Sequence, residues 1–170
     1  MTKRKPGTVY EQQSRGRTAS VSVGDIIGGH YVIEEVLDEG GMAVVFRATN
    51  SATQKSCALK ILHAHFGDRE EFLHLFSKEA KVSSVIGESA HIVNVFDAGL
   101  DEELGIPFIV MELLEGETLE RVLERGPLSP RLARQLLVQL ADALEQAHAA
   151  GVVHRDLKPS NLFVTTDKAG

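Results

Sequence analysis

The sequence predicts an α+β fold: an antiparallel sheet carrying one main helix, followed by a second, helical lobe. Three observations lead there. Apolar residues alternate or run in short strand-length blocks between turn signals across residues 31–114. One segment of helical periodicity, from about Asp68 to Ile86, interrupts those blocks. After Glu115 the pattern turns to helix, with its longest stretch behind Ser129-Pro130. Strands first and helices afterwards is the order of an α+β domain rather than of repeated βαβ units.

Residues 1–27 read as a basic tail. Residues 1–25 hold five of the 18 basic groups (Lys3, Arg4, Lys5, Arg15 and Arg17) and two of the 24 acidic ones, leaving the body acidic. The stretch is poor in apolar residues and is expected to be disordered. Thr18, Ser20 and Ser22 lie near Arg15 and Arg17 and are candidate phosphorylation sites, although a solvated leader is the simpler reading.

The first lobe is placed at 28–114. Tyr31, Ile33, Glu35 and Leu37 fall on one face of a strand, Val32, Glu34 and Val36 on the other. A tip at Asp38-Glu39-Gly40-Gly41-Met42-Ala43 and a return through Val44–Ala48 make this a hairpin. Such a tip brings backbone N–H groups close to phosphate oxygens where no Cβ intervenes. The next strand, Ser56–Leu62, carries Lys60 inside an apolar run, where a lysine ordinarily snorkels to solvent. On the helical segment Phe72, Leu75, Phe76, Val82 and Ile86 share a face, and Glu79 sits in the middle of it. An unpaired carboxylate there costs on the order of several kcal/mol. Lys60 and Glu79, each misplaced alone, explain one another as an ion pair.

His91–Gly99 reads as a strand ending in a turn, Pro107–Leu114 as a central buried strand, and Leu114–Glu117 as a hinge. The second lobe is placed at 115–170. Thr118 is the expected N-cap of a short helix ending before Gly126. Ser129-Pro130 starts a long helix expected to bury Leu132, Leu136, Leu137, Leu140 and Leu144, with Gly151 as its stop.

Composition is that of an ordinary globular protein, 43% apolar and 25% charged. No apolar run approaches the ~18 residues of a membrane helix, and no signal-peptide core is visible. A single cysteine, Cys57, permits no internal disulfide and is expected to be a buried thiol, which suits the cytoplasm. The net charge of −6 argues against a nucleic-acid partner. His63, His65 and His74 lack a completing Cys or carboxylate cluster, so solvated histidines are expected rather than a metal site.

The densest chemistry lies in His154-Arg155-Asp156-Leu157-Lys158-Pro159-Ser160-Asn161. Pro159 forbids an uninterrupted helix through it. Gly151-Val152-Val153 before it and Leu162-Phe163-Val164 after it suggest a polar loop between two short buried strands, a usual way to present catalytic groups.

That octapeptide matches the HRDLxxxN catalytic loop, and with the glycine hairpin, Ala58-Leu59-Lys60 and Glu79 it stands in the right order. The chain resembles the front part of a protein kinase domain, closest to bacterial serine/threonine kinases of eukaryotic type, over about residues 31–170. The resemblance implies a kinase-like fold, ATP and Mg²⁺ as ligands, and protein Ser/Thr hydroxyls as acceptors. It implies that Lys60 holds the α- and β-phosphates and pairs with Glu79, while Gly40 and Gly41 cover the phosphates. Leu37, Val45 and Ala58 would roof the adenine and Phe163 floor it. Met111 would be the gatekeeper, and the backbone from Glu112 to Leu114 the adenine-binding hinge. Asp156 would accept or orient the hydroxyl proton, Lys158 steady the γ-phosphate, Asn161 bind Mg²⁺, and Arg155 meet a phosphorylated activation loop.

Asp38 and Ala43 replace two glycines of the family pattern, and an aspartate at positive φ would cost about 1 kcal/mol. The aliphatic residue usual in the adenine floor is here Phe163. The sequence stops at Gly170, before any Asp-Phe-Gly segment. Two readings follow: part of a serine/threonine kinase, or an inactive half-kinase that binds nucleotide or docks on a partner. Without the rest of the helical lobe the long helix loses packing partners, and its exposed leucines could support self-association.

Overall fold

A computed structural model describes residues 10–14, 17–41, 43–63, 76, 85–87 and 89–165. The chain divides into two compact units, Met1–Lys81 with Val95–Leu113, and Val82–Asn94 with Leu114–Gly170.

The first unit is built on a six-stranded antiparallel sheet. In chain order its strands are β3 (Ile26–Ile27), β4 (Tyr31–Glu39), β5 (Ala43–Asn50), β6 (Ser56–Leu62), β7 (Val95–Asp101) and β8 (Ile106–Met111). They lie side by side as β3-β4-β5-β6-β8-β7. Cross-strand partners share a face, so the ladder sorts the side chains into two sets. One face carries the main core: Ile33, Val44, Phe46, Cys57, Leu59, Ile61, Phe108 and Val110, all buried. Each large side chain there contributes roughly 1.5–3 kcal/mol by leaving water. The other face carries a smaller cluster of Leu62, Ile109 and the helical Phe76, with Val95 and Met111 against it.

The strands are those the alternation predicts, with three shifts. β4 is interrupted by register irregularities between Ile33 and Glu35 and between Val36 and Asp38. Each changes which residues face inward, so Val36 packs against the main core while Glu35 is exposed. The strand expected from His91 begins at Val95, and Gly99 lies within it; the turn comes after Asp101. The strand expected over Pro107–Leu114 is β8, which ends at Met111 and lies next to the edge rather than at the centre.

The expected disordered tail needs correcting. Residues Tyr10–Ser14 (β1) and Arg17–Val21 (β2) form an antiparallel pair. Val21 and Ile27 are fully buried in the main core. Gly24 N–H donates to Ile33 O, and Ile33 N–H donates to Asp25 O, tying the segment to β4. Composition averaged over the stretch hides these few anchoring residues. Residues 1–9, 15 and 16 lie outside the described set.

Asp101, the one buried charged residue among those described, accepts backbone hydrogen bonds from Gly28 and Leu104, each at 2.9 Å, which offset its desolvation. Gly28 is required there. Its φ is +59°, and a Cβ would stand 2.6 Å from Phe108 Cζ.

The second unit contains β9 (Gly116–Thr118), α1 (Leu119–Glu124), α2 (Pro130–Ala149), a 3₁₀ turn at Pro159–Asn161 and β10 (Phe163–Thr165). Both expected caps are made: Thr118 Oγ1 accepts from Arg121 N–H and Ser129 Oγ from Leu132 N–H. Gly151 ends α2 at φ +74°, donating to His148 O while Val152 donates to Ala147 O. That is the paired hydrogen-bond pattern of a Schellman stop.

The packed face of α2 differs from the one expected. Ala143 and Ala147 are buried, Leu132, Leu136, Leu140 and Leu144 are half-buried, and Leu137 is 64% exposed. At about 100° per residue, Ala143 and Ala147 project near the middle of the Leu132–Leu136–Leu140 stripe, whereas Leu137 lies well to one side. Among the described residues no helix is long and apolar enough to cross a membrane.

Candidate active site

On the first unit, the smaller-cluster face of the sheet brings together four of the sequence-predicted residues, Val45, Ala58, Lys60 and Met111. Lys60 stands opposite Val45 on β5 and opposite Ile109 on β8, and Ala58 stands opposite Met111. The two-residue period of β6 puts Ala58, Lys60 and Leu62 on this one face. Ala58 is buried, whereas Val45, Lys60 and Met111 are half-buried. Glu112 and Leu113 continue from the end of β8, and Leu114 opens the second unit. Glu79 lies outside the described residues, as do Phe72, Leu75 and Val82.

The glycine-rich tip joins β4 to β5. Gly40 N–H donates to Ala43 O at 2.9 Å. A Cβ on Gly41 would meet nothing within 4 Å. Asp38 stands opposite Val45 within the ladder and is not among the residues with positive φ, so the strain expected for it is absent. Leu37 is half-buried at the register irregularity. His63, expected to be a solvated histidine, places Nε2 3.0 Å from Gly40 O. Sequence reasoning missed it; the available signal was its place one residue beyond the strand opposite the glycine tip. His65 and His74 lie outside the described residues, and no metal-ligand cluster occurs among the described ones.

On the second unit, the polar octapeptide folds into one connected cluster. Lys158 Nζ lies 2.9 Å from Asp156 Oδ2. Asn161 Nδ2 donates to the same oxygen at 3.0 Å and to the Asp156 carbonyl at 2.8 Å. The 3₁₀ turn behind Pro159 makes this reach possible, since it returns Asn161 N–H to Lys158 O. Arg155 takes the left-handed conformation at φ +61°, which costs roughly 1–2 kcal/mol in a residue with a Cβ. That turn directs Asp156 N–H back to His154 Nδ1 at 3.3 Å. Because Nδ1 accepts there, the ring hydrogen sits on Nε2.

The hydrogen bond from Lys158, and then that from Asn161, hold the Asp156 carboxyl below the usual carboxylate range. Asp156 is therefore a carboxylate at neutral pH, with Oδ2 doubly bonded and Oδ1 left for another donor. Both bonds of Asn161 leave from Nδ2, which turns its Oδ1 elsewhere as a hard oxygen ligand.

The flanks are not the buried strands expected. Val153 is 57% exposed and belongs to no strand, and Phe163 in the short β10 is 42% exposed. What anchors the loop is β9. Phe163, Val164 and Thr165 pair with Thr118, Glu117 and Gly116, and Leu119 N–H donates to Leu162 O at 2.7 Å. Glu117 is clamped by both guanidinium nitrogens of Arg125, with Nη1–Oε2 at 2.6 Å. Sequence reading gave Thr118 only a capping role; its strand places it opposite Phe163.

Comparison with known proteins identifies the family of the chain. The sequence profile of the protein kinase domain matches residues 31–169. A probable serine/threonine-protein kinase of Clostridium acetobutylicum is 38% identical over 146 residues, which is 85% of this chain and 22% of that protein. The serine/threonine-protein kinase PrkC of Bacillus subtilis is 38% identical over 143 residues, 84% of this chain and 22% of that protein. The chain thus spans about a fifth of the length of these relatives. The crystal structure of the Mycobacterium tuberculosis PknI kinase domain superposes with a TM-score of 0.73 at 26% identity, covering 85% of this chain and 57% of that one.

Proposed function

This chain belongs to the protein kinase family, and from that membership we infer that the protein binds MgATP and transfers its γ-phosphate to serine or threonine hydroxyls of protein substrates. The observation that carries the inference is the Asp156–Lys158–Asn161 cluster, in which one carboxylate oxygen is fixed by two donors and the side chain stays largely exposed.

Phosphoryl transfer asks a protein chiefly for positioning and for neutralisation of developing charge. In this reading Asp156 Oδ1 accepts the hydrogen bond of the substrate hydroxyl and directs its oxygen at the γ-phosphorus. Its lowered pKa makes it a weak base, so it orients the hydroxyl early and takes the proton late. Lys158, 2.9 Å from Asp156, supplies positive charge to the transferred phosphoryl group. Asn161 Oδ1 fits a Mg²⁺ ligand by its chemistry, and the metal's contribution is to draw charge from the phosphate oxygens. Lys60 holds the α- and β-phosphates, and Gly40 and Gly41 cover them. Val45, Ala58 and Leu37 of the first unit cover the adenine, with Met111 behind it and the backbone of Glu112 and Leu113 along its edge. The acceptor is a protein, and a signalling role in the cytoplasm is part of the same reading.

Incubation of the full-length protein with γ-labelled ATP and Mg²⁺, followed by phosphoamino-acid analysis, tests the reading. Phosphoserine or phosphothreonine that disappears in Asp156→Ala is expected. Phosphotyrosine, or transfer that survives the substitution, would overturn it.

A further inference from the structure

The tip of the β4–β5 hairpin is held by hydrogen bonds more than by packing. Gly40 N–H closes the turn on Ala43 O at 2.9 Å, and among the described residues beyond its chain neighbours no atom lies within 4 Å of where a Cβ on Gly41 would stand. The neighbouring strand supplies a brace. Leu62 stands opposite Ala43 and is 4% exposed, which anchors the end of β6. His63 follows it, and its Nε2 lies 3.0 Å from Gly40 O. A carbonyl only accepts, so Nε2 carries the hydrogen and donates it. The Nε2–H tautomer and the imidazolium both make this bond.

The bond fixes a peptide plane. No cis peptide occurs among the described residues, and in a trans peptide the C=O and the N–H point in opposite directions. With Gly40 O held by the imidazole, Gly41 N–H is turned to the side away from it. Glycine populates both halves of φ almost equally, so an unbraced Gly-Gly peptide flips readily. We propose that His63 is a positioning residue: by fixing the Gly40–Gly41 peptide plane it presents the Gly41 amide as a preset donor to a nucleotide phosphate. This role rests on the reading of the chain as an MgATP-binding kinase. His63 acts through Gly41 and is not a catalytic residue.

Calorimetric titration of the chain with MgATP and, separately, with adenosine tests the role in wild type, His63→Phe and His63→Gln. Phenylalanine keeps the ring and removes the donor; glutamine returns an N–H at similar reach. Loss of one hydrogen bond's worth of preorganisation weakens MgATP binding in His63→Phe by about three- to tenfold. Adenosine, which has no phosphate, binds all three proteins alike, and His63→Gln returns MgATP affinity to within about twofold of wild type. A merely structural role would weaken both ligands together. Equal losses for MgATP and adenosine, or unchanged MgATP affinity in His63→Phe, would overturn the positioning role while leaving nucleotide binding intact. A wild-type chain that binds no MgATP would overturn the kinase reading itself, and the role of His63 with it.

Discussion

Gly116→Ala is expected to unfasten the catalytic loop from its anchor. Gly116 has φ +150°, and a Cβ there would stand 2.1 Å from Val164 O and 3.0 Å from Thr165 Cα. A carbon and a carbonyl oxygen approach no closer than about 3.3 Å in ordinary contacts, so β9 and β10 would have to part by roughly 1.2 Å. Both neighbours are backbone atoms, so no side-chain rotation relieves the clash. The disfavoured φ adds about 1–3 kcal/mol, and overpacking adds about 1–3 kcal/mol more. The total of roughly 2–6 kcal/mol is a large share of the ~5–15 kcal/mol that stabilises a domain. Amide hydrogen exchange reads the effect locally. Leu119 N–H, bonded to Leu162 O, and the amides of the β9–β10 ladder should lose protection, while those of β5 and β6 in the other unit keep theirs. Unchanged protection along β9–β10 would refute the argument that this glycine lets the two strands meet.

Three further outcomes follow from the same contacts. Asp156 should titrate below the ordinary carboxylate pKa in a carbon NMR experiment, and Lys158→Met should move its midpoint upward, since Lys158 is the first cause of the shift. Because the folded pKa is depressed, the linked stabilisation is present above the unfolded value of ~3.9 and is lost as pH falls through the folded one; a midpoint unaffected by the substitution would contradict the assignment. Burial, and then the hydrogen bond to Asp97 at 2.8 Å, push the Tyr31 phenol up to about 12. Its linked stabilisation is complete below the unfolded value of ~10 and declines as pH rises towards 12; Asp97→Asn should lower the midpoint seen by ultraviolet absorbance, and an unaltered titration would count against the contact. Thr118→Ala removes the N-cap of α1 and should cost about 1 kcal/mol in urea unfolding, whereas Thr118→Ser should restore most of it.

The features legible in the sequence were those whose chemistry is local. Ser129-Pro130 and Thr118 cap their helices, and Gly151 ends α2, because a cap or a stop is decided within a few residues. The alternation around Val44–Ala48 and the apolar run of Ser56–Leu62 placed β5 and β6, and with them the shared face of Val45, Ala58 and Lys60. The octapeptide named its own cluster, because Asp156, Lys158 and Asn161 lie within one tight turn.

What escaped was set by contacts between distant segments or by register. A pair of polar strands at Tyr10–Ser14 and Arg17–Val21 carries no amphipathic signal, and Val21 alone gave little warning of a buried anchor. The irregularities in β4 move Val36 to the core side, which simple alternation forbids. Leu137 satisfied a list of leucines but not the angular width of the packed face, whose centre belongs to two alanines. His63 was read by its residue type, whereas its role comes from what lies across the sheet from it. Phe163 owes its position to pairing with Thr118 rather than to burial of its own strand.

The most direct test of the kinase assignment is a calorimetric titration of MgATP into the wild-type chain and into Lys60→Met. Saturable one-to-one binding is expected that requires Mg²⁺ and weakens about tenfold or more when the lysine charge is removed, as loss of a charge-assisted phosphate contact requires. Absence of saturable binding, or an affinity that Lys60→Met leaves unchanged, would contradict it.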